Sequence, residues 1–106
     1  MFSSTQMLKG LLEGCILKIV NGKRTYGYEI CEMLVDYGFE HVNEGIVYPI
    51  LLRLEKKKLI TAKKEPSPHG PKRKYYYLTE EGIVYLNAFI DSWSDVSSKI
   101  TNILGE

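Results

Sequence analysis

A mainly helical α+β fold is what the sequence predicts, and three observations predict it. Apolar residues recur at helical spacing in three stretches between residues 5 and 58. Two segments of alternating character then flank a connection rich in proline and glycine. A final segment of some 25 residues carries apolar positions three and four apart, without proline.

Residues 5–21 read as one helix. Leu8, Leu12, Cys15, Ile16 and Ile19 share a face, Leu11 widens it, and Asn21-Gly22 ends it. Thr25 is the expected N-cap of a second helix running to about Tyr37, with Ile30, Met33, Leu34 and Tyr37 on its apolar face. Gly38 stops it. After a turn over 39–42, Asn43 caps a third helix from Glu44 to about Lys58, whose core stripe is Ile50, Leu51 and Leu54. Pro49 lies inside it, where it removes a hydrogen bond and crowds the preceding turn. Either the helix kinks there or its first turn is irregular. Leu59–Glu65 reads as a strand, 66–71 as a loop by composition, and Lys72–Leu78 as the returning strand. Tyr76 and Leu78 fall on one face of it, Tyr75 and Tyr77 on the other. Helix, turn, helix and hairpin is the layout of a winged helix-turn-helix.

Thr79 caps a last helix that reaches about Leu104, and Glu80 and Glu81 sit at its positive end. At about 1.5 Å per residue it is roughly 37 Å long, more than the body before it can cover. Ile83, Leu86, Ile90, Trp93, Ser97, Ile100 and Leu104 are spaced alternately three and four apart. That is a heptad seam with one polar interruption. Such a seam needs a second copy of the chain or the chain's own first helix.

Net charge is +1, but its distribution is uneven. Arg53 to Lys74 holds nine basic and two acidic side chains, a net +7; the remainder holds five and eleven, a net −6. Concentrated positive charge on a near-neutral chain is the footprint of a phosphate-backbone binder, or else a solvated face. The expected division is therefore residues 1–79 as a DNA-binding winged helix-turn-helix and 80–106 as a dimerisation helix. No segment is apolar enough to span a membrane, and Met1 to Gly14 lack the pattern of a secretory signal, so a cytoplasmic protein is expected. Cys15 and Cys31 lie in helical apolar patterns and read as reduced, buried thiols. Neither a metal site nor a cofactor is expected. No Ser/His/Asp spacing, phosphate-cradling glycine loop or apolar carboxylate pair points to an enzyme.

Three stretches in order, TYGYEI at 25–30, EGIVYPILLRLEKKKLI at 44–60 and GPKRKYYYLTEEG at 70–82, resemble the PadR family of transcriptional regulators. The resemblance runs from about Met7 to Ile103, and the single last helix resembles the family's shorter subgroup. It implies a homodimeric winged-helix repressor whose affinity for DNA falls when a small, often aromatic ligand is sensed. Gly45, Tyr48, Pro49 and Arg53 match the family pattern. Ile46 departs from it, standing where a threonine or serine is usual, so any hydrogen bond made there is absent here.

A helix in the major groove reads bases from its first turns. Those turns hold Asn43, Glu44, Ile46, Val47 and Tyr48, a mostly apolar set suited to thymine methyls, so phosphates and DNA shape are expected to carry much of the recognition. Gly45 allows close approach. The candidate DNA contacts are Tyr26, Asn43, Gly45, Tyr48, Arg53 and Lys64, with Lys72, Arg73 and Lys74 at the wing. The candidate dimer residues are Leu8, Leu12, Ile83, Leu86, Ile90, Trp93, Ile100 and Leu104. The stretch SWSDV at 92–96 resembles a multidrug-binding member of the family. Trp93, with Phe89, Leu11 and Cys15, is thus either the wall of a slot for a planar hydrophobic molecule or seam packing. A winged helix that binds only protein is the competing class, and the basic segment argues against it.

Overall fold

A computed structural model describes residues 4–105. The elements are α1 (Ser4–Leu8), α2 (Leu11–Gly22), β1 (Thr25–Tyr26), α3 (Gly27–Asp36), α4 (Glu44–Lys56), β2 (Ile60–Ser67), β3 (Gly70–Leu78) and α5 (Glu80–Leu104). The outer ends of the two expected segments, residues 1–3 and 106, lie outside the described residues. The sheet is antiparallel in the order β1-β3-β2. With the α3–α4 pair it forms the expected winged helix-turn-helix.

The core lies where α2, α3 and α4 meet the sheet. Ile16, Leu17, Ile30, Leu34, Val47, Leu51 and Leu54 are essentially sealed from solvent. Ile16, Ile30, Leu34, Leu51 and Leu54 come from the helical faces that periodicity identified; Leu17 and Val47 do not, and Tyr37, expected on the face of α3, is 75% exposed. Their burial is the main stabilising term, at about 1.5–3 kcal/mol for each large side chain.

Four local readings change. The expected first helix is two, broken at Lys9-Gly10, where glycine is the weakest helix former short of proline. Thr25 is not the cap of α3. It pairs in β1 with Tyr76 of β3, is fully buried, and donates from its hydroxyl to Glu29 at 2.6 Å. Tyr26 takes the N-cap position, without a side-chain cap bond. The third helix stops at Lys56, because Lys58 turns left-handed at φ 62°. The amides of Lys58 and Leu59 then bond back to Glu55 and Leu54, closing the helix end as a Schellman turn does. Finally, 66–71 is not a loop. The strands continue to Ser67 and from Gly70, with a one-residue shift of register between Glu65 and Ser67. Pro66 and Pro71 fit there because the outer hairpin has no third strand to receive their amides.

Pro49 sits within a continuous α4. The first turn of α4 is an ordinary helix start, the amides of Ile46 and Val47 both bonding to the carbonyl of Asn43, each at 3.0 Å. Gly38, at φ 106°, ends the α3 turn as expected. Thr79 caps α5, its hydroxyl accepting from the Gly82 amide at 3.0 Å and donating to the Lys58 carbonyl at 2.7 Å.

Candidate nucleic-acid interface

The exposed face of α4 differs from the face its first turns suggested. Val47 is fully buried and Ile46 half-buried, so neither is free to meet a thymine methyl. Asn43, Glu44, Gly45, Tyr48, Pro49, Leu52, Arg53 and Lys56 are the residues that α4 and its cap present to solvent, with Tyr28 of α3 beside the first turn. Leu52 and Tyr28, 56% and 53% exposed, were not singled out by periodicity, which marks buried faces. The Tyr48 ring lies against α3 so closely that a Cβ on Gly27 would stand 2.6 Å from it. The glycine of TYGYEI is what lets the two helices meet there. Partial burial pushes the Tyr48 phenol above its ordinary range, so it is a neutral hydroxyl at physiological pH.

Two of the predicted cations are engaged within the chain. The Arg53 guanidinium donates to Glu13 of α2 at 2.8 Å, and Lys57 lies 3.6 Å from the same carboxylate. Lys74 donates to Glu55 of α4 at 2.9 Å, and that hydrogen bond raises its pKa. The wing is thereby tied to α4. Lys64 and Lys72 are exposed, and among the described residues neither makes an ion pair.

Residues 63, 65, 73, 75 and 77 share the outer face of the hairpin. There Glu65 accepts from both Tyr77 and Arg24. The Tyr77 hydroxyl first, then Arg24, hold its carboxyl below the usual range. The Tyr26 and Tyr75 rings meet edge to face with centroids 5.6 Å apart. Arg24 lies over Tyr75 at 4.1 Å, and Arg73 over Tyr26 at 4.4 Å. Sequence reading missed Arg24 and Glu65, because their closeness comes from sheet register rather than chain spacing.

The seam residues divide. Leu12 and Leu86 are buried in the chain's own core, leaving no surface to offer a partner. Phe89 packs onto α2, where a Cβ on Gly14 would stand 2.2 Å from its ring. From Ile90 to Gly105 every side chain or glycine is exposed except half-buried Ser97, with Trp93 at 49%. Leu8, Leu11 and Cys15 are half-buried on α1 and α2, and burial raises the Cys15 pKa, which disfavours the reactive thiolate. An apolar groove of about 440 Å³ lies apart from Trp93, between α1, α2 and α4, with Leu8, Leu12, Phe39, Ile46 and Ile50 in its walls. Among the described residues no acid, histidine or cysteine cluster suits a metal ion, and no helix is long and apolar enough to cross a membrane.

Comparison with known proteins agrees with this arrangement. Residues 16–88 match the model of the transcriptional regulator PadR-like family. A crystal structure of a PadR-like transcriptional regulator from Bacillus cereus strain ATCC 14579 is 48% identical. It superposes with a TM-score of 0.86, covering 95% of this chain and 98% of that one. A Streptococcus transcriptional regulator is 43% identical, with a TM-score of 0.85 over 92% of this chain and 96% of that one. An uncharacterised protein of Lysinibacillus sphaericus is 33% identical over 99 residues, 91% of this chain and 90% of that protein.

Proposed function

The chain belongs to the PadR-like family of transcriptional regulators, and on that premise we propose that it is a homodimeric cytoplasmic repressor of transcription, released from duplex DNA by a planar hydrophobic ligand. The observation that carries the DNA-binding part is the wing. Its exposed Lys64 and Lys72 and ring-held Arg73 stand on a hairpin that Lys74 ties to α4, whose solvent face holds Asn43, Gly45 and Tyr48. Arg53 acts through Glu13, steadying α4 against α2. The division into a body, residues 1–79, and a dimerisation helix, 80–106, is part of this proposal. The exposure of α5 beyond Phe89 supports it for the second half of the helix, while Leu86 packs into the body.

The unpartnered stripe Ile83, Ile90, Trp93, Ile100 and Leu104 supports the dimer. A two-fold pair would hold its α4 helices about 34 Å apart, the separation of successive major grooves. Trp93 stands midway along that seam, with Phe89 one turn before it. A flat ring inserted between the two copies of α5 would alter the spacing, with a coupling typically of about 1–3 kcal/mol.

Duplex affinity measured across a salt series tests the reading. A phosphate binder weakens steeply with salt, and Lys72→Ala with Arg73→Ala flattens the slope by about one to two units. Saturable quenching of Trp93 by planar compounds, with release of DNA, tests the ligand. A wild-type protein without salt-dependent duplex binding would instead be a protein-interaction module.

A further inference from the structure

β1, Arg24 just before it, and β3 gather two rings and two guanidinium groups on the hairpin face turned away from the core. The two cations are held differently. Arg24 lies over Tyr75 and is also bound to Glu65. Arg73 lies over Tyr26 at 4.4 Å and, among the described residues, makes no ion pair. That is unexpected, because Arg73 stands directly opposite Glu65 in the strand register. Each Glu65 oxygen already accepts a hydrogen bond, one from the Tyr77 hydroxyl and the other from Arg24, and these hold the carboxylate on that side. Lys63, the other cation on this face, lies over the Tyr77 ring at 5.4 Å.

A guanidinium held over a ring and not bound to a carboxylate has N–H groups left to donate, and those form the fork that matches a phosphate. The ring also removes rotamer freedom before DNA arrives, so less is lost on binding. We propose that Tyr26 is a positioning residue for DNA binding: its ring holds the Arg73 guanidinium ready for a backbone phosphate, while the Arg24–Glu65–Tyr77 cluster keeps Glu65 from capturing it. This assignment rests on the DNA-binding reading above and names how one contact of that site is prepared. It separates Arg73 from Lys64 and Lys72, which are unheld point charges. Tyr26 then serves the DNA contact without needing its own hydroxyl at the DNA.

The test is duplex affinity by fluorescence anisotropy over a salt series, with thermal unfolding as the control for folding. Tyr26→Leu is expected to weaken binding about 3- to 10-fold, the range of a cation–π contact, and to lower the salt slope by up to about one unit. Tyr26→Phe, which keeps the ring, recovers the loss. Arg73→Lys keeps the charge but not the planar fork held over the ring, and Tyr26→Leu added to it costs little more. Arg24→Gln frees Glu65 to take Arg73 and weakens binding; Glu65→Gln on that background restores it. Wild-type affinity in Tyr26→Leu overturns the proposal. So does a Tyr26→Phe protein as weak as Tyr26→Leu, which would place the hydroxyl at the DNA. An undiminished effect of Tyr26→Leu in the Arg73→Lys background does the same. Where Tyr26→Leu lowers the unfolding temperature sharply, the Arg24→Gln and Glu65→Gln pair decides, and failure of Glu65→Gln to restore binding overturns it. If the wild type itself shows no salt-dependent binding, the DNA-binding reading fails as well, and that result is separate from any difference between variants.

Discussion

A Cβ built on Gly82 would stand 2.0 Å from the carbonyl oxygen of Leu59 and 2.8 Å from Leu78. The oxygen belongs to the backbone, which has no rotamer to change. It also accepts from the Thr79 amide at 3.1 Å, which holds it in place. Gly82→Ala is therefore expected to destabilise the protein by about 1–3 kcal/mol, the usual cost of overpacking, although alanine is the better helix former. Denaturant unfolding measures it, and a stabilised Gly82→Ala protein would mean that α5 slides past Leu59 without resistance. Nothing in the string Thr79-Glu80-Glu81-Gly82 announces this contact; it reads as a capped helix start. Gly27 is similar, since its need for smallness comes from Tyr48, 21 positions away.

At the scale of the element, the hairpin shows how far local pattern reaches. Alternation located both strands and the face of Tyr76, but composition suggested a loop over 66–71 where the strands in fact continue. Proline and glycine forbid a central strand, not the outer end of a two-stranded ribbon. β1 escaped notice because two residues carry no periodicity. The outer face of this hairpin is pH-sensitive in a definite direction. Glu65 is held below its ordinary pKa by Tyr77 and Arg24, so its folded value lies below its unfolded one. Its contribution to stability is complete above the unfolded value and is lost as pH falls through the folded value. Glu65→Gln should therefore lower the unfolding temperature at neutral pH, and the gap to wild type should close as the medium is acidified below the usual carboxylate range. A gap that stays constant down to pH 3 would show that the carboxylate charge is not what holds the face together.

At the scale of the whole molecule, the body and the end of α5 answer to different forces. The body closes on its own core, and Leu86 belongs to it. Residues 90–105 are exposed apart from half-buried Ser97, so that part of α5 contributes almost nothing to the protomer's interior. A charge at Leu86 would unfold the body, whereas a charge at Ile100, 47% exposed, tests association alone. Ile100→Asp is expected to give monomer in sedimentation equilibrium and to weaken binding to a two-half-site duplex by about 10²- to 10⁴-fold, since the second half-site contact becomes bimolecular. A variant that stays dimeric, or a wild type that is monomeric at micromolar concentration, would remove α5 as the dimer element.

By itself the sequence determined most of each helix's buried face, the caps at Thr79 and Gly38, the hairpin and the concentration of basic charge. Each of these is a property of neighbours within a few residues, and periodicity records it directly. The three family-like stretches carried the regulator assignment for the same reason, as contiguous strings. Only the tertiary structure decided which cations are free. Arg53 meets Glu13 across 40 positions, Arg24 meets Glu65 across 41, and Lys74 meets Glu55 across 19. An ion pair needs two side chains within about 4 Å, and strand register and helix packing supply that closeness between residues that no local pattern links.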